Sequence, residues 1–208
     1  MPIDTLIIGQ GLAGSLLALE LLRNDQRILL IDDGWATAAS TVAAGLINPV
    51  TGQRLVKAEN LDLYLAYAQR YYTDLAAQLH LPALWRERPM LRLFTRAAER
   101  HRWQKRCQRP DYQPYLGALV EQYPPFAMPL GGGWQRHTGY LDIPPLLEAV
   151  RERLRQQGDY RQDRFLYSDL QRCAEGVSWQ TVRARRVIFC EGYRAQLNPW
   201  FDWLPWQP

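Results

Sequence analysis

Three glycines in the run Gly9-Gln10-Gly11-Leu12-Ala13-Gly14 are spaced as G-x-G-x-x-G. That spacing suits a backbone turn that holds a pyrophosphate. A glycine at 9 permits the tight turn, one at 11 lets the main chain approach the phosphates, and one at 14 lets a helix pack against the preceding strand. Leu12 and Ala13 then open a helix whose free N–H groups and dipole favour an anion. Asp32 stands 18 residues after Gly14, with Asp33 beside it. A carboxylate at the tip of a second strand accepts hydrogen bonds from ribose hydroxyls and repels a 2′-phosphate, which disfavours NADP. Asp33 takes that place if the strand runs one residue further.

These residues need a strand, a helix and a strand to position them. Thr5–Ile8 reads as a strand buried on both faces, Leu12–Arg23 as a helix apolar nearly all round, and Arg27–Ile31 as a second strand ending at Asp32. Together they make a βαβ unit. Residues 35–58, which include Ala36 and Thr37, are small and loop-like, and a long irregular connection in a compact domain often lines a site. A helix follows over Leu61–Leu79, with Asn60 as N-cap and Pro82 as terminator. Met90–Phe94 reads as a strand and Arg96–Gln108 as a basic, polar helix, both within an insertion punctuated by Pro124, Pro125, Pro129 and Gly131-Gly132-Gly133. Leu146, Leu147, Val150 and Leu154 then mark the buried side of another helix, closed by Gly158. Phe165–Tyr167, Val177–Thr181 and Val187–Cys190 are candidate strands.

Composition narrows the class. The chain has 208 residues, 47% hydrophobic and 22% charged, which excludes a disordered, collagenous or disulfide-scaffold protein. A net charge of +4 permits an anionic ligand without pointing to nucleic acid. Arg96, Arg100, Arg102, Lys105, Arg106 and Arg109, with Trp103, accordingly read as a solvated helix face rather than an RNA-binding one. No stretch reaches the roughly 18 apolar residues of a membrane span, and no basic segment precedes Leu12–Leu22 as in a secretory leader. Cys107, Cys173 and Cys190 are scattered, which fits a reducing compartment and a cytoplasmic location and gives no zinc cluster. His80, His101 and His137 show no metal-ligand spacing.

Three further segments carry a resemblance. Ala39-Ser40-Thr41-Val42-Ala43-Ala44-Gly45-Leu46-Ile47-Asn48-Pro49 resembles the flavin-facing segment of the D-amino acid oxidase-like (DAO) FAD-dependent oxidoreductases. Overlapping its end, Asn48-Pro49-Val50-Thr51-Gly52-Gln53-Arg54 is similar to a bacterial subgroup. Val187-Ile188-Phe189-Cys190-Glu191-Gly192-Tyr193 resembles the family's second dinucleotide-contacting strand and turn, and Gly139-Tyr140-Leu141-Asp142 the entry to the helix before its adenine-side strand.

The resemblance implies an α/β fold: a Rossmann-like FAD-binding domain of the glutathione-reductase type with an inserted, incomplete α+β substrate domain. The FAD-binding parts are expected at residues 1–82 and 139–208 and the insertion at 83–138. It further implies FAD with its pyrophosphate at Gly9, Gly11 and Gly14 and its adenosine ribose at Asp32. Ser40, Ala44 and Gly45 would lie along the pyrophosphate and flavin, Phe165 near the adenine, and Cys190 and Gly192 over the diphosphate. Cys190 then reads as a small packing residue, not a nucleophile. The family chemistry is hydride transfer from the carbon beside an amine to flavin N5, on an amine or amino acid substrate. Arg54 is a candidate clamp for the substrate carboxylate, against the plainer reading of a solvated arginine. No His precedes His80 and no Cys precedes Cys107, so the first loop offers no covalent flavin link. Family members continue beyond the point corresponding to Pro208, so the chain is expected to be an N-terminal portion that self-associates through exposed edges, with Trp200, Trp203 and Trp206 as core or interdomain packing that has lost its partner strands. Two other readings stay open: a non-catalytic dinucleotide-binding or interaction module, and an NAD-binding protein.

Overall fold

The computed structural model describes residues 3–34 and 38–205; Ala36 and Thr37 of the small-residue loop, and Trp206, lie outside the described residues. The first half of the chain forms β1 (Ile3–Ile8), α1 (Leu12–Arg23), β2 (Ile28–Asp32), α2 (Ala39–Val42), β3 (Leu46–Ile47), β4 (Val50–Thr51), β5 (Val56–Lys57), α3 (Leu61–Gln78), β6 (Trp85–Glu87), β7 (Met90–Leu93) and α4 (Ala97–Cys107). Then come β8 (Leu116–Val120), β9 (Gly132–Gln135), β10 (Gly139–Leu141), α5 (Ile143–Gln157), β11 (Tyr160–Gln162), β12 (Leu170–Cys173), β13 (Gly176–Trp179) and β14 (Val182–Phe189). Two compact units result: residues 1–43 with 143–208, and residues 44–142. The second unit thus reaches from before residue 83 to past residue 138, with β3 paired to β10 inside it.

The first unit is built on one six-stranded sheet in the order β11-β2-β1-β14-β13-β12. The four strands from β11 to β14 run parallel, while β13 and β12 add antiparallel pairs at the edge. β1 lies between two parallel neighbours, so Leu6, Ile7 and Ile8 are buried on both faces, as the continuous apolar run requires. α1 buries Gly14, Ser15, Ala18 and Leu19. α5 buries Ile143, Leu146, Leu147, Val150 and Leu154, a stripe at helical spacing, and ends at Gly158 in a left-handed conformation.

Phe165–Tyr167 is not a strand, contrary to its apolar run. It is a loop running into a short 3-10 turn, Tyr167–Asp169. Its rings fold onto the sheet instead: Phe165 stacks on Trp179 at 5.4 Å and meets Phe189 edge-on at 5.9 Å. A three-residue apolar run satisfies either outcome, and here aromatic burial outweighs ladder pairing.

The second unit holds two three-stranded antiparallel sheets, β3-β10-β6 and β7-β9-β8, a β4–β5 hairpin, and helices α3 and α4. Its core gathers Val50, Leu55, Phe94, Trp103, Tyr112 and Leu116. Asn60 precedes α3 as expected but caps it differently: it is left-handed at φ 51°, and no side-chain capping bond forms. Its carbonyl instead accepts from the N–H groups of Leu63 and Tyr64. The basic α4 is anchored from within the unit: Trp103 is fully buried, Arg100 pairs with Glu121, and Arg106 lies over the Tyr112 ring.

Glu99, third in α4, reaches back to accept from the Thr95 N–H at 2.9 Å and the Thr95 hydroxyl at 3.2 Å, closing the first turn. The bond from the Thr95 N–H is the main cause that holds its carboxyl below the ordinary value of 4.5, against the opposing effect of burial. A lowered folded value gives stability that is complete above the ordinary value and is lost as pH falls through the folded one. Glu99→Gln is therefore expected to flatten the acid-side loss of stability below pH 4.5, read by denaturant midpoints across a pH series. An unchanged slope would assign the acid sensitivity elsewhere.

Candidate functional site

In the parallel part of the first sheet the chain order reverses between β1 and β14. The crevice beyond the carboxyl ends of strands at such a reversal is where open α/β sheets bind ligands. A cleft of about 680 Å³ lies there, lined entirely by the first unit.

Its floor is the glycine turn. Gly9 has φ +100°, and a Cβ on it would stand 2.5 Å from the Cys190 carbonyl oxygen. A Cβ on Gly14 would stand 1.9 Å from the Gly9 carbonyl oxygen, so this glycine sets the approach of α1 to the turn. Gly11 is the N-cap of α1 and provides no side-chain cap; the first turn carries no acid. Helix geometry leaves the N–H groups of Leu12, Ala13 and Gly14 without carbonyl partners. That of Leu12 donates to the Ser40 hydroxyl at 3.1 Å, which brings Ser40 to the same end of the helix.

Gln10, the residue between the first two glycines, was not singled out by its sequence pattern, yet it fixes the turn from behind. It is buried and its amide is satisfied at both ends: Nε2 donates to Ser15 Oγ (3.1 Å) and the Leu147 carbonyl (2.8 Å), and Oε1 accepts from Arg151 Nε (2.7 Å). The turn is thereby tied to α5.

Asp32 ends β2 and lines the cleft. Its Oδ2 accepts from the Gln10 N–H at 2.8 Å and its Oδ1 from the Gly34 N–H at 2.7 Å. Each carboxylate oxygen retains acceptor capacity for a hydroxyl. Asp33 also lines the cleft but forms an ion pair with Arg194, whose guanidinium is held firmly protonated by it. β2 ends at Asp32, so the extra strand residue that would put Asp33 in its place is not formed.

Phe165, Cys190 and Gly192 all line the cleft. The Cys190 N–H donates to the Ile8 carbonyl at 2.7 Å, locking β14 to β1 at the turn. Burial, with Glu191 beside it, pushes the Cys190 thiol up, so it is a neutral packing group and not a thiolate. Glu191 accepts from the Tyr167 hydroxyl at 2.7 Å and from Asn198 Nδ2 at 2.8 Å. Burial and then the Glu191 carboxylate push the Tyr167 phenol up, so it stays a proton donor. The Arg194 and Tyr167 pairings join residues far apart in sequence, and no local motif announces them.

Ala44 and Gly45 belong to the second unit. There, Gly45 (φ +64°) leaves no room for a Cβ, which would stand 2.1 Å from the Leu141 carbonyl oxygen, so its glycine is explained by strand packing. Arg54 is exposed in the turn between β4 and β5, as a solvated arginine would be. Among the described residues no cluster of His, Cys, Asp and Glu could hold a metal, and no helix is long and apolar enough to cross a membrane.

The residues present fit FAD: a glycine cradle that any Cβ would fill, a helix N-terminus without an acid, and an acid at the tip of β2. Solved structures share the fold. Glycine oxidase from Geobacillus kaustophilus superposes with a TM-score of 0.74 at 17% identity, over 94% of this chain and 56% of that one. Iminodiacetate oxidase from Chelativorans sp. BNC1 gives 0.66 at 20% identity over 93% and 56%, and L-amino acid deaminase from Proteus vulgaris 0.68 at 14% over 94% and 49%. The chain thus spans about half the length of these relatives. A family model described as FAD dependent oxidoreductase, DAO, matches residues 4–205, which favours FAD over NAD. With that match running along almost the whole sequence, the chain belongs to the DAO family of FAD-dependent oxidoreductases.

Proposed function

We propose that the protein oxidises an amine or amino acid and that the first unit holds the adenosine diphosphate half of its FAD. The observation that carries this reading is the cleft at the β1/β14 reversal, where the glycine turn and Asp32 stand together. In this reading the N–H groups of Ala13 and Gly14 face the pyrophosphate, and Ser40 orients the helix end by accepting from Leu12. Asp32, oriented by the Gln10 and Gly34 N–H groups, accepts from the ribose hydroxyls. Phe165 and Cys190 exclude water from the adenosine and diphosphate sides. FAD supplies the acceptor for a hydride leaving the carbon beside the amine. The amine or amino acid class is supported by the relatives, which are named for oxidising or deaminating glycine, iminodiacetate and L-amino acids.

The test is spectroscopic. Purified protein incubated with FAD and desalted should keep a flavin absorbance, and anaerobic addition of amino acids should bleach it. Failure to retain flavin would overturn the cofactor assignment; flavin that no amine or amino acid bleaches would overturn the reaction. Asp32→Ala removes the ribose acceptor and is expected to weaken FAD binding about 10- to 100-fold, roughly 1.5–3 kcal/mol, as read by flavin fluorescence titration.

A further inference from the structure

The Asn48–Arg54 segment is not used by the cofactor cleft, and the second unit gives part of it a place. Asn48 lines a separate cleft of about 450 Å³ formed wholly within that unit. Aromatic rings make one wall: Tyr123 and Phe126 stack at 6.4 Å and 12°, and Trp134 stands edge-on to Tyr123 at 5.4 Å. Phe126 is 55% and Tyr123 44% exposed, although both are ring surfaces that would be stable under cover. Leu91 and Met90 of β7, with Leu46 and Ile47 of β3, add to the apolar lining.

Against these walls stands one oriented polar group. Gln135 is 1% exposed, and its Nε2 donates both to Asn48 Oδ1 at 3.2 Å and to the Val50 carbonyl at 2.8 Å. Asn48 must therefore present its oxygen to Gln135, and among the described residues nothing accepts from its Nδ2. Gln135 Oε1 is buried without a partner, an arrangement that makes sense for a side chain kept to aim another. The charge of the lining is one-sided: Arg88 lines the cleft and donates to the Glu87 backbone carbonyl at 3.0 Å, and no carboxylate lines the cleft among the described residues.

We propose that this cleft binds the aromatic ring and carboxylate of an aromatic amino acid, the ring against Tyr123, Phe126 and Trp134 and a carboxylate oxygen accepting from Asn48 Nδ2. The volume suits a ring-bearing ligand, since sites of roughly 300–1,000 Å³ take small organic molecules. As a statement of substrate class it rests on the amino acid reading above; as a statement of binding it does not need that reading.

The experiment separates the two. 3-Phenylpropanoate has the ring and the carboxylate but no amine to oxidise, so its binding to the FAD-loaded protein, followed by calorimetry, reads the cleft alone; propanoate is the ringless control. Saturable binding of 3-phenylpropanoate, at least about tenfold tighter than propanoate and weakened about tenfold or more by Asn48→Asp and by Phe126→Ala, is the expected result. Phe126 is exposed, so its loss leaves the core intact, and FAD affinity checks folding in both variants. No binding at millimolar ligand, or binding undiminished in both variants relative to the unsubstituted protein, overturns the proposal. Asn48-dependent binding without bleaching by phenylalanine would keep the binding site and remove the substrate role. Bleaching by small amino acids without phenylpropanoate binding would remove this proposal and leave the oxidation reading standing.

Discussion

Gly14→Ala is expected to leave the protein unable to retain FAD through desalting, with affinity reduced at least about 100-fold, or ~3 kcal/mol. The added methyl would stand 1.9 Å from the Gly9 carbonyl oxygen, a contact no rotamer relieves because the atoms on both sides are backbone or Cβ. Either α1 moves away from the turn or the turn opens, and both displace the N–H groups at the helix end. Gly11→Ala provides the graded comparison. Its Cβ would meet Ser40 Oγ at 3.1 Å, a side-chain atom able to turn, so a smaller loss is expected. Fluorescence titration of FAD, with circular dichroism to check folding, decides the matter. Flavin retained by folded Gly14→Ala protein would mean that the turn is not the phosphate site.

Trp103→Ala carries the largest expected effect on stability, about 3–5 kcal/mol. The side chain is fully buried, packs on Phe94 at 5.5 Å, and donates from Nε1 to the Gly117 carbonyl at 3.1 Å. Truncation leaves a cavity and removes the stronger of two side-chain donors to that carbonyl, leaving only the Cys107 thiol at 3.6 Å. The same ring explains Gly133, whose Cβ would stand 2.2 Å from it. Gly133→Ala should therefore destabilise the same core from the other side, and the two substitutions together should cost less than their sum, since removing the ring vacates the space. Denaturant midpoints of the single and double variants test this; strict additivity would show that the glycine and the tryptophan do not share the contact.

The sequence was legible where chemistry is local. The G-x-G-x-x-G spacing, the doubly buried strand before it and the acid at the tip of β2 follow from nearest-neighbour backbone and burial rules, and each falls where those rules place it. Phe165–Tyr167 shows the limit. An apolar triplet states that something must be buried but not how, and the partners Trp179 and Phe189 that decided it lie elsewhere in the chain.

Asp32 and Asp33 make the same point at the site. Strand length separates them: β2 ends at Asp32, and Asp33 turns to Arg194, 161 residues away. Asn48 and Gln135 are 87 residues apart, and the extent of the second unit was likewise set by the pairing of β3 with β10. Backbone turns and helix starts are written in adjacent residues because steric and hydrogen-bonding preferences act over a few bonds. Ion pairs, amide orientation and unit boundaries arise between segments that meet when the chain has closed on itself, where burial and geometry, not spacing, select the partner.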